Sequence, residues 1–209
     1  MKQMLAKKIG QTRVYDDAGH QVPVTVLETG PCVVVQRKTK ENDGYDAVQL
    51  GFLPQKAQRL GKPVAGHYKK AGVEPCKVLA EARLAEGEDA KVGETFKADV
   101  FADVKYVDVI GTTKGKGFQG VVRRHGMSGG PAAHGSGTHR RPGSIGNREW
   151  PARIFKNKRL PGQMGHVTVT TQNLRVVKVL ADANAVLVEG AVPGPVGGIV
   201  VIRKAIKKA

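Results

Sequence analysis

The chain of 209 residues has few cysteines, few aromatic side chains and no long apolar run. Its two cysteines, Cys32 and Cys76, have no C-x-x-C partner, so a disulfide framework is not expected and a reducing compartment is favoured. No stretch approaches the roughly 18 consecutive apolar residues that cross a membrane, and residues 1–8 lack the apolar core of a secretory signal. The sequence therefore predicts a cytoplasmic protein that does not contact a membrane.

Acidic residues are almost missing from residues 111–165, where Glu149 is the single carboxylate. This basic segment has thirteen glycines, four prolines and almost no hydrophobic periodicity. It carries eleven of the 34 basic residues and a net charge of +10, whereas the other 154 residues together carry +6. Such a segment cannot bury enough apolar surface to offset the entropy of its ordering. We expect an arm that becomes ordered on a polyanion, because charge concentrated in this way is typical of a nucleic-acid footprint.

The candidate nucleic-acid contacts are the basic side chains, the histidines and two aromatic rings of this segment. Basic side chains neutralise phosphates, and aromatic rings can stack on bases. Trp150, the only tryptophan of the chain, has the character of a rigid wedge at a loop tip. For Phe118, packing of the segment onto itself or onto the rest of the chain is an equal alternative. The predicted contacts are Lys114, Lys116, Phe118, Arg123, Arg124, His125, His134, His139, Arg140, Arg141, Arg148, Trp150, Arg153, Lys156, Lys158 and Arg159.

Three features suggest an enzyme, and each lacks the rest of its site. Residues 115–120 match the dinucleotide fingerprint G-x-G-x-x-G, but no helix of useful length and no ribose-binding acid follow them. Residues 126–130 match the nucleophile elbow G-x-S-x-G, but Ser128 is followed by Gly-Gly-Pro instead of a helix. The histidines of the segment lack the cysteine and carboxylate neighbours of a metal site. We expect no catalytic residue, no metal, no cofactor and no small-molecule substrate.

Two alternatives to an architectural RNA-binding protein follow from the same residues. The first is an RNA-modifying or nucleotide-binding enzyme that uses residues 115–120, which the missing acid, base and metal groups disfavour. The second is a DNA-compacting protein. That class explains the charge, but a single long arm suits a folded RNA better than the groove of a duplex.

The residues outside the basic segment predict a mainly β protein. Short apolar bursts between turn residues are typical of strands, and many short strands without alternating long helices favour a barrel or sandwich. One short helix is predicted at residues 63–71, a hairpin turn at residues 182–184, and a meander of the first three strands. The predicted strands are residues 22–28, 32–37, 45–52, 76–84, 95–98, 106–110, 166–171, 174–180, 185–189 and 199–203.

Several motifs of the sequence resemble the L3 family of large-subunit ribosomal proteins. They are residues 115–121 (GKGFQGV), 139–146 (HRRPGSIG) and 161–165 (PGQMG), with further likeness at residues 4–12, 101–104 and 189–194. The resemblance therefore extends over the entire chain.

The resemblance implies a translation-factor-like β-barrel body at residues 1–111 and 164–209, with a small α+β part and a long, irregular, basic extension at residues 112–163. It also implies direct binding of 23S rRNA, a role in early assembly, and a place beside ribosomal proteins L14 and L19. The family's loop tip near the peptidyl transferase centre matches Asn147, Arg148, Glu149 and Trp150. Some relatives carry a glutamine that can be methylated where this chain has Glu149, so that modification is not expected. Arg148 and Arg153 are candidates to balance the Glu149 carboxylate.

Overall fold

The computed structural model of the chain describes residues 3–85 and 87–208. Its strands and helices are β1 Gln3–Tyr15, β2 Gln21–Thr29, β3 Cys32–Lys38, α1 Lys40–Asp43, β4 Ala47–Pro54, α2 Lys62–Ala71, β5 Cys76–Arg83, β6 Thr95–Phe96, β7 Tyr106–Thr112, β8 Gly117–Gln119, α3 Val121–His125, β9 Gly162–Met164, β10 Thr168–Leu180, β11 Ala185–Glu189 and β12 Ile199–Lys204. The protein divides into two compact units: the body, residues 1–112 and 168–209, and the inserted unit, Thr113–Val167. The prediction of a mainly β protein is confirmed.

Six strands of the body close into a barrel in the order β1-β12-β7-β10-β11-β2, with antiparallel neighbours. The barrel encloses fully buried apolar side chains, among them Met4, Leu27, Val109, Val186 and Ile202. Closure pairs the strand edges that an open sheet would leave exposed to other chains. The short apolar bursts of the sequence therefore form a common core.

No strand is predicted at residues 3–15, where the structure has β1. Apolar and polar residues do not alternate in this range. Residues 4–6 are apolar and buried in succession, and the polar residue Lys8 is buried as well. The amine of Lys8 donates hydrogen bonds to the carbonyl oxygens of Val192, at 2.7 Å, and Gly194, at 3.1 Å. These bonds offset the cost of removing the ammonium group from water. A buried lysine whose hydrogen bonds are satisfied still counts as polar in a hydropathy pattern, so that pattern does not predict the strand.

The predicted meander of the first three strands is wrong, because β2 and β3 lie in different sheets. β2 pairs with β1 and β11 in the barrel, whereas β3 pairs with β4 and β6 in a second sheet of order β5-β4-β3-β6. Gly30, between β2 and β3, has a φ of 88° and passes so close to the carbonyl oxygen of Phe96 that a Cβ would lie 2.9 Å from it. Turn residues in the sequence mark this change of direction but do not reveal which sheet receives the next strand.

Residues 166–171 and 174–180, predicted as two strands, are largely combined in the single strand β10. Its register against β7 shifts between Thr171 and Leu174. Within this irregularity Asn173 has a φ of 58°, and its amide donates a 3.0 Å hydrogen bond to the buried carboxylate of Asp108. The same carboxylate pairs with Arg203 at 3.3 Å. The predicted hairpin turn between β10 and β11 is confirmed.

The helix predicted at residues 63–71 is confirmed as α2, which ends at Gly72 in a left-handed conformation with a φ of 66°. Glycine is favoured at this position because other residues adopt such a φ at a cost. Across residues 3–85 and 87–208, the structure contains no helix with the length and apolar character of a membrane span.

Candidate nucleic-acid interface

Two short strands close the inserted unit at its ends. β8 pairs with β9 in an antiparallel ladder, and the amide of Thr113 donates a 2.9 Å hydrogen bond to the carbonyl of Val167. Gly165, with a φ of 72°, passes against the carbonyl oxygen of Lys114 so closely that a Cβ would collide with it. The base of the unit is therefore held by backbone contacts that residues 165–167 make with residues 113–115.

Helix α3 binds the chain that returns from the far end of the unit. Nη1 of Arg124 donates a 2.7 Å hydrogen bond to the carbonyl oxygen of Leu160, and Nε2 of His125 bonds to the same oxygen at 3.0 Å. Both side chains are half-buried, and Val121 at the start of α3 is fully buried. Arg124 and His125 thus have a structural role that the sequence does not reveal, because their shared partner lies at least 35 residues further along the chain.

The other fourteen predicted contact residues are exposed, so their side chains are available to a partner. Trp150 is 81% exposed and Phe118 is 75% exposed. At this exposure Phe118 buries little of its ring, which disfavours the alternative that it packs the segment onto itself or onto the rest of the chain. The four predicted tip residues, Asn147 to Trp150, are all exposed as well.

The positive charge of the inserted unit is not neutralised by carboxylates of the residues that the structure describes. Among the residues that the structure describes, none of its eleven basic side chains lies within ion-pair distance of a carboxylate, including that of Glu149. In the body, by contrast, Lys38 pairs with Glu81 at 2.6 Å and Arg175 pairs with Glu189 at 2.6 Å. The hydrogen bond that Lys38 donates to the Glu81 carboxylate is the main cause that raises the pKa of Lys38. Cations without counter-charges give the unit a field that attracts a polyanion.

Between α3 and β9 the unit is built from turns and bends instead of regular elements. The amide of Gly130 donates to the carbonyl of His139 at 2.9 Å, and Nδ1 of His139 donates to the carbonyl of Pro131 at 2.9 Å. Gly129, with a φ of 79°, lies so close to the His139 carbonyl that a Cβ would overlap it. His139 therefore holds residues 130 and 131 against residue 139 in this loop, and its side chain is exposed.

Comparison with known proteins identifies the family of this chain. Residues 85–185 match the family described as Ribosomal protein L3. The chain is 54% identical to the large ribosomal subunit protein uL3 of Pelotomaculum thermopropionicum, over 99% of this chain and 98% of the relative. It is 52% identical to uL3 of Heliobacterium modesticaldum, with coverage of 99% and 98%, and 51% identical to uL3 of Corynebacterium jeikeium, with coverage of 99% and 95%. The chain belongs to the ribosomal protein L3 family.

Membership of the L3 family confirms the predicted resemblance and the prediction that the protein is not an enzyme, since this family is structural. Residues 115–120 contain the short strand β8 and lead directly into α3, but this helix is only five residues long and is too short for a dinucleotide site. Ser128 lies in irregular chain after α3. Within the described part of the chain, no three His, Cys, Asp or Glu side chains are grouped so as to hold a metal.

Proposed function

We propose that this member of the L3 family is a structural constituent of the large ribosomal subunit that binds 23S rRNA directly through its inserted unit. The observation that carries the proposal is the set of eleven basic side chains without counter-charges in the described structure. RNA phosphates supply those counter-charges, and binding releases the cations condensed on the RNA.

The mechanism is architectural. Basic side chains neutralise phosphates where RNA helices converge, and the glycine-rich backbone at residues 112–163 passes through narrow gaps between them. By promoting this convergence the protein assists early assembly of the subunit, beside ribosomal proteins L14 and L19 in the cytoplasm.

The tip residues Asn147, Arg148, Glu149 and Trp150 approach the peptidyl transferase centre in this proposal. Their match to the family's loop tip and their exposure support this position. The reacting groups of that centre belong to RNA, so the tip acts by positioning nucleotides. Trp150 stacks or braces, while Arg148 contacts phosphate.

The proposal is tested by the salt dependence of binding to a 23S rRNA transcript. Replacing Arg140, Arg141, Arg148 and Arg153 with Gln removes four cations from the inserted unit. If each arginine neutralises one phosphate, the slope of log K against log salt should fall by about 2.8–3.6, since each phosphate contributes about 0.7–0.9.

A matched control removes the same charge from the body, by changing the exposed lysines 77, 91, 97 and 178 to Gln. This control should leave the slope almost unchanged. Equal slopes for the parent and the arginine variant would refute binding through the inserted unit.

A further inference from the structure

A second basic surface lies on the body. Residues 55–73 contain five basic side chains and no acidic residue, and so account for +5 of the +6 net charge outside the basic segment. All five are exposed, and in the described structure none lies within ion-pair distance of a carboxylate. They are Lys56, Arg59, Lys62, Lys69 and Lys70. Most of the net charge outside the basic segment is thus also concentrated, and no carboxylate of the described residues pairs with it.

Helix α2 directs part of this charge away from the protein. Tyr68 is buried and donates a 3.0 Å hydrogen bond to the carbonyl of Cys76, and His67 bonds to the side chain of Gln49 at 2.7 Å. These contacts fix the rotation of the helix. At 3.6 residues per turn, Lys62 and Lys69 are separated by only about 20° around the axis and lie away from Tyr68.

Gly66 lies between these two lysines on the same face of α2, one turn after Lys62. Glycine in a helix interior is unfavourable compared with alanine. Apart from the neighbouring backbone of α2 itself, no described atom lies within 4 Å of the position that a Cβ would take at Gly66, so the space inside this chain does not require a glycine. A partner that approaches the helix backbone between the two ammonium groups does require one.

We infer that the face of α2 formed by Lys62, Gly66 and Lys69 binds the phosphate backbone of 23S rRNA, as a contact separate from the inserted unit. Two ammonium groups flanking bare helix backbone suit a strand of phosphates that lies across the helix. Charge complementarity selects a polyanion, and the inference rests on the proposed function for the choice of RNA. Lys56, Arg59 and Lys70 are further exposed cations of the same segment.

The test uses the full chain and a 23S rRNA transcript, with two variants that act through different physics. Lys62→Gln with Lys69→Gln should reduce the salt slope by about 1.4–1.8, the contribution of two phosphates. Gly66→Gln changes no charge and should leave the slope unchanged, but it should lower the affinity severalfold because its side chain occupies the contact. Gly66→Gln should also keep or raise the melting temperature of the free protein, since glutamine favours helix more than glycine does.

Lys97→Gln with Lys178→Gln is the control, because it removes two exposed lysines of the body outside residues 55–73. The inference is overturned if the Lys62 and Lys69 variant has the same slope and affinity as this control, or if Gly66→Gln binds as the parent does. It is also overturned if the variants bind the transcript normally but bind polyglutamate less tightly, which would assign the face to an acidic protein. A reduced slope for the arginine variant of the inserted unit, together with normal α2 variants, would leave the proposed function intact and refute this contact alone.

Discussion

The guanidinium group of Arg124 donates a 2.7 Å hydrogen bond to the carbonyl oxygen of Leu160, 36 residues later in the chain. His125 bonds to the same oxygen. These bonds hold the two ends of a long loop together before any partner arrives. Because the loop is already closed in the free protein, the entropic cost of ordering it on RNA is lower. The inserted unit therefore combines a preorganised base with a distal part that has little regular structure of its own.

Arg124→Ala should open the base of the inserted unit while the body remains folded. The change removes a hydrogen bond from a charged donor, whose loss at a half-buried site we expect to cost about 1 kcal/mol of local stability. Hydrogen exchange at the amide of Lys116, which bonds to the carbonyl of Met164 at 2.9 Å, should therefore accelerate. Arg123→Ala, which removes the same charge from an exposed position, is the control. Equal acceleration in both variants would show that the loss of charge, and not the loss of the bond to Leu160, destabilises the contact between Lys116 and Met164.

The charge of this unit could be predicted from the sequence, whereas the role of Arg124 could not. Eleven basic residues with one acid form a pattern that needs no folding information. The bond to Leu160 depends on a chain reversal that local composition does not encode. The same limit applies to β1. The burial of the polar residue Lys8 depends on hydrogen bonds to the carbonyls of Val192 and Gly194, which are distant in sequence. Local periodicity predicts elements, but partners distant in sequence decide which polar residues are buried.

Amides at residues 131–160 should exchange with solvent much faster than those of the barrel. Of the amides in this range, all of which the structure describes, that of Ser136 alone donates to another backbone carbonyl. Trypsin should cleave the free protein first after Arg140, since the bond after Arg141 precedes Pro142 and resists trypsin. Bound 23S rRNA should suppress that cleavage. The amide of Ile202 in β12 provides the protected reference. Equal protection of both regions in the free protein would contradict the idea that RNA orders the distal loop.

Lys8→Met should destabilise the barrel by about 1–3 kcal/mol, because the carbonyls of Val192 and Gly194 lose the donor that satisfies them. Urea unfolding measured by circular dichroism gives the free energy. Lys7→Met is the matched control. Its ion pair with Glu28 at 3.5 Å is partly exposed, and such pairs contribute little, about 0–1 kcal/mol. A loss at Lys8 no larger than that at Lys7 would show that the two carbonyls are satisfied by water instead.

The thiol of Cys32 should be inert in the folded protein. Burial raises its pKa to about 12 from an ordinary value of 9.0, so the reactive thiolate is scarce at pH 8. Cys76 is half-buried, and its pKa is also raised by burial and by Glu74. An aromatic disulfide reagent should therefore modify Cys76 slowly and Cys32 only on unfolding. Modification of both thiols at the same rate in the native protein would contradict the burial of Cys32.

The same pKa difference predicts how stability depends on pH. The folded state holds the Cys32 proton more tightly than the unfolded state does. The contribution of the protonated thiol to the free energy of unfolding is therefore full below pH 9 and is lost as the pH rises toward 12. Cys32→Ala should be less stable than the parent at pH 7, because the smaller side chain leaves a cavity. The difference in unfolding free energy between the two proteins should narrow above pH 9. A constant difference up to pH 11 would show that Cys32 does not titrate between the folded and unfolded states.

Trp150→Ala should leave the free protein folded and alter the RNA that the tip contacts. The side chain is 81% exposed, so its removal opens no cavity, and urea unfolding should match the parent. Loss of a stacking contact with a base, worth about 1–3 kcal/mol, should raise the chemical reactivity of nucleotides at the peptidyl transferase centre in assembled subunits. Phe155→Ala, another exposed ring of the inserted unit outside the tip, is the control and should leave that reactivity unchanged. If Trp150→Ala unfolds the isolated protein while the reactivity of the RNA stays the same, Trp150 is a structural residue and the position proposed for the tip is wrong.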